Sequence, residues 1–212
     1  MPLLIVTRPA AQAEPWVRQL IARGVDAVAL PLIEIAPPLD PQPLRDAWAD
    51  LEQRGLVVFV SANAVSGFFM ARPAGAGWPA TLVAAAPGPG TAEALRAQGV
   101  APAAIVEPAA DAPQLDSEAL WQRLRLRDWN GRSALVVRGD GGRDWLVKRL
   151  SEAGARVDAV AAYRRLAPRL STEARQGVDA ALAAPSRHAW LFSSSEAIAH
   201  LEALDGDRKS VV

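Results

Sequence analysis

Five short stretches of this 212-residue chain join an apolar run to a helical pattern through small polar residues, glycine or proline. They are Thr7–Ala10, Ser61–Asn63, Pro87–Thr91, Gly139–Gly142 and Ser193–Ser195. Where a strand hands over to a helix, the first backbone N–H groups have no partner within the helix and carry the positive end of its dipole. Each such turn is a ready site for an anion. Taken singly, the Ser, Thr, Asn and Asp residues here are explained as helix caps, worth about 1 kcal/mol each. Five together on facing rims suit a ligand with several negative groups. Arg8 and Arg138 end apolar runs, and each either pairs with a carboxylate of the fold or points at such a ligand. Tyr163, the only tyrosine, ends another apolar run. Its hydroxyl is either solvated or offers a hydrogen bond or proton to a bound group.

The stretch Ala134–Arg165 shows which elements position these groups. An apolar run, Ala134–Val137, ends in Arg138 and the turn Gly139–Gly142. A helical pattern from Trp145 to Glu152 stops at Gly154, and a second apolar run covers Val157–Tyr163. Two strands joined by one helix lie parallel with a right-handed crossover. Ligands of such sheets bind outside the carboxyl ends of the strands, which puts Arg138, Gly139 and Tyr163 near the working rim. Elsewhere, apolar runs predict strands at Leu3–Val6, Val25–Ile35 (broken by Pro31), Leu56–Val60, Leu82–Ala86, Ile105–Val106 and Ala189–Phe192. Helices are expected over about Gln12–Arg23, Leu44–Arg54, from the turn Ser61–Asn63 to about Met70, and over Ala92–Gln98, Glu118–Arg125, Thr172–Leu182 and Glu196–Leu204. The helix after Leu3–Val6 carries Trp16, Val17, Leu20 and Ile21 on one face. Asp205–Val212 is polar and shows no periodicity.

Two pairs of segments echo each other. Ile5–Arg8, with the helix, glycine and strand after it, parallels Val136–Arg138 with its own helix, glycine and strand; Phe59–Val65 parallels Phe192–Ile198. The repetition predicts two related α/β domains. Ile35–Pro43 holds four prolines in nine residues, and Leu166–Leu170 contains Pro168. As paired crossings, these segments divide the chain into a discontinuous first domain, 1–36 plus 168–212, and a second, 37–167, inserted into it.

The bulk numbers exclude several classes. Lysine and arginine total 23 and match 23 acidic residues, so there is no basic excess of the kind nucleic acids call for. Without cysteine, disulfides, thiolate zinc and a cysteine nucleophile are excluded. His188 and His200, the only histidines, are not at metal-ligand spacing. No apolar stretch approaches the ~20 residues of a membrane span, and MPLLIVTRP lacks the features of a signal peptide, so a soluble cytoplasmic protein is expected. Gly139–Gly142 has neither the dinucleotide nor the P-loop spacing, and Pro89 stands where a phosphate cradle needs an N–H. The seven tryptophans stand at helical spacing and are expected to pack rather than stack on a ligand.

Six motifs together resemble the uroporphyrinogen-III synthase family. They are Val6-Thr7-Arg8-Pro9, Phe59-Val60-Ser61-Ala62-Asn63-Ala64-Val65, Pro87-Gly88-Pro89-Gly90-Thr91-Ala92-Glu93-Ala94-Leu95, Val137-Arg138-Gly139-Asp140-Gly141-Gly142-Arg143, Tyr163-Arg164-Arg165 and Phe192-Ser193-Ser194. Their order and spacing run through nearly the whole chain. The resemblance implies two flavodoxin-like parallel-sheet domains joined by a two-stranded linker, with an active site in the cleft between them. It implies a monomeric lyase that needs no metal or organic cofactor. The enzyme cyclises linear hydroxymethylbilane, inverts the last pyrrole ring and releases water in tetrapyrrole biosynthesis, with transient hand-over from hydroxymethylbilane synthase. By position Tyr163 matches the family's tyrosine, a candidate proton donor. Ser61, Ala62, Asn63 and Thr91 match cleft residues of one domain, and Thr7, Arg8, Ser193 and Ser194 match the other. Arg138 and Gly139 join them as substrate-binding candidates.

The residues fit that implication. A substrate with eight carboxylates calls for many N–H anion sites and few catalytic side chains, and positioning would carry the selectivity. In the family a further strand, a Gly-Pro-x-Thr-Ala turn and a helix come after the second serine turn. This chain stops at Val212 without them, so a truncated, poorly active and less stable polypeptide is expected. The alternatives from other classes are a non-enzymatic two-domain sensor of a small anionic ligand and a receiver-like signalling domain. Thr7-Arg8, where a phosphoacceptor site needs acidic residues, speaks against the latter.

Overall fold

The computed structural model describes residues 2–209. The chain divides into two compact units, Met1–Ala36 with Arg165–Val212, and Pro37–Arg164. The first begins with β1 (Leu3–Val6), α1 (Ala10–Ile21), β2 (Ala27–Ala29) and β3 (Glu34–Ala36). The chain then builds α2 (Gln42–Ala49), β4 (Leu56–Phe59), α3 (Ala62–Met70), β5 (Val83–Ala85), α4 (Pro89–Ala97), β6 (Ile105–Val106), α5 (Ser117–Leu124), β7 (Ser133–Gly139), α6 (Trp145–Glu152) and β8 (Arg156–Leu166). It returns through α7 (Thr172–Ala183), β9 (His188–Leu191) and α8 (Ser195–Lys209) to complete the first unit.

In the inner unit, the strands run in the order β8-β7-β4-β5-β6, all parallel. Counted along the unit, the strand numbers reverse between β4 and β7. The order differs from that of flavodoxin, but both are doubly wound sheets whose ligands bind at the carboxyl ends beside the reversal. β4 reads Leu-Val-Val-Phe and is buried along its whole length, as a central parallel strand covered on both faces must be. Its core is formed by Leu56, Val58, Ala85, Leu120, Leu124, Val136, Leu146 and Leu150. Against α3, Trp48 stacks on Phe68 at 4.8 Å and donates its indole N–H to the Phe68 carbonyl at 2.8 Å. Phe59, Phe69 and Trp78 complete that aromatic cluster, which fixes α3. Here the tryptophans pack, as expected.

The first unit has a parallel sheet ordered β2-β1-β9, with Ile5 opposite both Val28 and Trp190. Ile5, Leu30, Leu32, Ile33, Val178, Ala181 and Ala197 form its core. Two expectations change here. The apolar face of α1 is only half covered: Ala13 is buried, while Trp16 and Ile21 stand 43% and 56% exposed. Trp16 is instead taken up by the Arg8 guanidinium, 4.7 Å from its ring centre. The end of the chain, read as patternless from Asp205, is helical to Lys209. A helix already nucleated gains a hydrogen bond for each residue it adds, so polar residues extend it without an apolar stripe. The patternless reading of Ser210–Val212 lies outside the described residues. As expected, the strand region Val25–Ile35 is broken around Pro31 into two short strands, since proline has no N–H for a ladder.

Candidate functional site

In the inner unit, two neighbouring strands end where a third runs past them. β4 ends at Phe59 and leads to Ser61; β7 ends at Gly139; β8 carries Tyr163. Phe59 lies opposite Val137, and Gly139 lies opposite Tyr163. A register shift between Arg138 and Gly139 brings this about. Arg138 pairs with Ala161, so Ala162 is an extra residue on β8. A bulge of this kind re-aims the side chain that comes after it. Strand alternation is broken at that point, and Ala162 and Tyr163 are both buried.

Tyr163 reaches across β7 towards β4. Its hydroxyl lies 3.2 Å from Ser61 Oγ, and either oxygen can donate. Ser61 also caps α3, its Oγ accepting from the Ala64 N–H at 3.2 Å. The pair therefore sits at the positive end of a nine-residue helix. Ala62 and Asn63 open that helix. Thr91 is the third residue of α4, a helix that starts at Pro89 and has no side-chain cap. Proline suits this first position, because the N–H it lacks would have had no partner there.

The glycine turn differs from the expected anion site. α6 begins only at Trp145, with Asp144 before it. The Asp140 N–H is given to the Tyr163 carbonyl at 2.9 Å, and the Gly142 N–H to the Gly139 carbonyl at 3.2 Å. Arg138 folds back on the turn, donating to the Gly142 carbonyl and to Asp144 Oδ1, each at 2.6 Å. Of the two readings open for Arg138, pairing with a carboxylate of the fold is the one observed. Gly141 has a φ of 69°, which glycine adopts without strain.

Within the first unit, Thr7 is buried and gives both its N–H and its hydroxyl to the Leu191 carbonyl, at 3.3 and 2.9 Å. Arg8 donates twice to Gln12 Oε1, at 2.8 and 3.2 Å, and lies over Trp16. Burial lowers its pKa from the ordinary value by desolvation, yet the guanidinium stays charged. Ser194 Oγ accepts from the Glu196 N–H at 3.2 Å, and Glu196 pairs with Arg165 at 3.0 Å. Ser193 precedes it at the same turn. The structure thus gathers Ser61, Ala62, Asn63, Gly139 and Tyr163 at one rim, and Thr7, Arg8, Ser193 and Ser194 at the ends of the adjacent strands β1 and β9. Two residues were missed from the sequence, Gly67 and Ala162. A Cβ on Gly67 would lie 2.2 Å from the Ala162 carbonyl oxygen. A glycine in the middle of an apolar helix was the available signal.

No group of three or more His, Asp or Glu side chains suited to a metal occurs among the described residues. No helix among them is long and apolar enough to cross a membrane. The family model for uroporphyrinogen-III synthase HemD matches residues 14–210. Uroporphyrinogen-III synthase of Salmonella typhimurium is 34% identical over 168 residues, covering 77% of this chain and 65% of that protein. The Escherichia coli protein of the same name is 32% identical over 165 residues, with 77% and 65% covered. The chain thus spans just under two thirds of the length of these relatives. A crystal structure of a mutant uroporphyrinogen III synthase from Thermus thermophilus shares the α/β fold at a TM-score of 0.60 and 19% identity, covering 95% of this chain and 76% of that one.

Proposed function

The chain belongs to the uroporphyrinogen-III synthase HemD family, and we propose on that premise that it cyclises hydroxymethylbilane to uroporphyrinogen III. The observation that carries this reading is the Tyr163 hydroxyl, held 3.2 Å from Ser61 Oγ beside the chain reversal of the inner sheet. Tyr163 gives its proton to the departing hydroxyl of the substrate. The carbon–oxygen bond breaks, water leaves, and an electron-poor azafulvene carbon remains. The substituted carbon of the last ring attacks it, and a spiro intermediate reopens and closes with that ring inverted. The ring that regains aromaticity loses a proton, which restores the tyrosine. No other group need change its covalent state, so the remaining residues hold and orient.

The N-termini of α3 and α4, with Ala62, Asn63 and Thr91, take up substrate carboxylates in this reading. Thr7, Arg8, Ser193 and Ser194 do so on the first unit, and Arg138 and Gly139 shape the turn beside Tyr163. The finer architecture belongs to the same proposal: two doubly wound parallel-sheet domains, flavodoxin-like in layering though not in strand order, 37–167 inserted between 1–36 and 168–212, with two extended crossings as the linker. So do a cytoplasmic, monomeric state and hand-over of the labile substrate from hydroxymethylbilane synthase.

The test supplies freshly made hydroxymethylbilane to the purified chain and separates the two product isomers. Type III product, formed faster than substrate closes unaided, is expected. Type I alone at the unaided rate overturns the activity. Binding of polycarboxylates without turnover would favour a sensor instead.

A further inference from the structure

Tyr163 and Ser61 stand on opposite sides of β7. Neighbouring parallel strands lie about 4.8 Å apart, so a side chain on β8 meets a residue beyond β4 only by crossing the strand between them. That is possible only where the middle strand presents no side chain. Gly139 is the residue at that crossing. A Cβ there would lie 2.9 Å from Tyr163 Cζ and 3.1 Å from its hydroxyl oxygen. The bulge at Ala162 sets Tyr163 opposite Gly139, and Gly67 lets α3 close onto the Ala162 carbonyl. Three separate features, two missing side chains and one extra residue, converge on the aim of a single phenol.

We propose that Ser61 and Gly139 are positioning residues for Tyr163 rather than contacts for the substrate. Gly139 is the floor on which the ring lies. Ser61 is its hydrogen-bond partner, donating its own proton to the Tyr163 oxygen. The reason lies in the polarity of the chain of groups. Ser61 Oγ already accepts from the Ala64 N–H at the start of α3. A hydroxyl that accepts from a helix N–H is a better donor at its other end. If Ser61 donates to Tyr163, the Tyr163 proton stays free for a ligand. When that proton leaves, the negative charge on the phenol oxygen is met by the Ser61 O–H and, through it, by the helix N-terminus. In the opposite orientation, the Tyr163 proton would be occupied and nothing would support the phenolate. The catalytic part of this inference rests on the synthase reading; the geometric part does not.

Tyr163 is the only tyrosine of the chain, so protein grown with tyrosine labelled by carbon-13 at Cζ gives one resonance. Its shift reports hydrogen bonding at the phenol without any substrate. Ser61→Gly removes the hydroxyl while leaving a residue that still serves as a helix cap; Ser61→Thr restores the hydroxyl. The glycine variant is expected to move the resonance and lower kcat about tenfold with KM changed less than about twofold. The threonine variant is expected to return both. Gly139→Ala, which displaces the ring, is expected to move the resonance with Ser61 intact. The proposal fails if Ser61→Gly leaves the resonance in place, whatever happens to turnover. It also fails if the resonance moves in an active protein and kcat does not. Should the wild-type chain turn over no hydroxymethylbilane, the synthase reading falls alone, and the resonance still decides whether Ser61 holds Tyr163.

Discussion

Tyr163, within β8, and Thr7, just past β1, are both buried hydroxyl-bearing residues, but the structure gives them opposite situations. The Tyr163 hydroxyl is bonded to Ser61, with either oxygen able to donate, and in the proposed orientation it retains a proton to give. Thr7 has already donated its hydroxyl to the Leu191 carbonyl. Tyr163→Phe keeps the ring over Gly139 and removes only the hydroxyl. On the proposed proton-donor role, it should reduce kcat on the order of 100-fold while KM stays within about twofold. Steady-state kinetics with hydroxymethylbilane decide this, and an unchanged kcat removes the proton-donor role. Thr7→Val keeps the shape and removes one hydrogen bond from a carbonyl that still accepts from the Thr7 N–H. It should lower unfolding free energy by about 1 kcal/mol. An unchanged KM would show that the hydroxyl serves the sheet; a large rise would make it a substrate contact. At this scale, the sequence showed which residue types stand at strand ends but not which hydroxyls were already bonded. The partners of Thr7 and Tyr163 are 184 and 102 residues away, and only the strand order brings them close.

Helices α3 and α7 each carry a glycine in their interior, and their surroundings differ. Gly67 meets the Ala162 carbonyl, whereas a Cβ on Gly177 would find nothing within 4 Å. Gly177→Ala should therefore stabilise the protein by about 0.5–1 kcal/mol, through helix propensity and a less flexible unfolded chain. Gly67→Ala gains the same propensity term but pushes α3 off β8, and should destabilise by about 1–3 kcal/mol net. Denaturant titrations of the two variants test the contrast. Equal effects would mean that the approach of α3 to β8 costs nothing to open. Local patterning made β4, β6, α3 and α6 legible to within a residue or two, because burial on both faces and 3.6-residue periodicity are written locally. The bulge at Ala162 was not legible, since register is a relation between strands. The closed form of the glycine turn was missed for a different reason. Arg138 ties itself to Gly142 and Asp144 and draws the turn into a loop ahead of the helix.

At the scale of the whole molecule, charge decides how a polyanionic substrate would be gathered. The chain carries 23 basic and 23 acidic residues, so it has no net charge to project a long-range attractive field. Several of its arginines are tied to neighbours: Arg138 to Asp144, Arg165 to Glu196, Arg54 to Asp158 and Arg96 to Glu107. In the proposed reading, an eight-carboxylate substrate is then held by short-range N–H donors at helix starts. Contacts of that kind are made by partly buried groups, which salt screens less than exposed charges. Raising salt from about 50 to about 500 mM should therefore raise KM less than about tenfold and leave kcat unchanged. A binding surface built on the summed field of the protein would lose far more over that range. The measurement is a set of saturation curves with hydroxymethylbilane across that salt range, read before unaided closure depletes it. A steep rise in KM would place recognition on exposed arginines rather than on the helix starts, and would move the search for substrate contacts from Ala62, Asn63 and Thr91 to the charged surface.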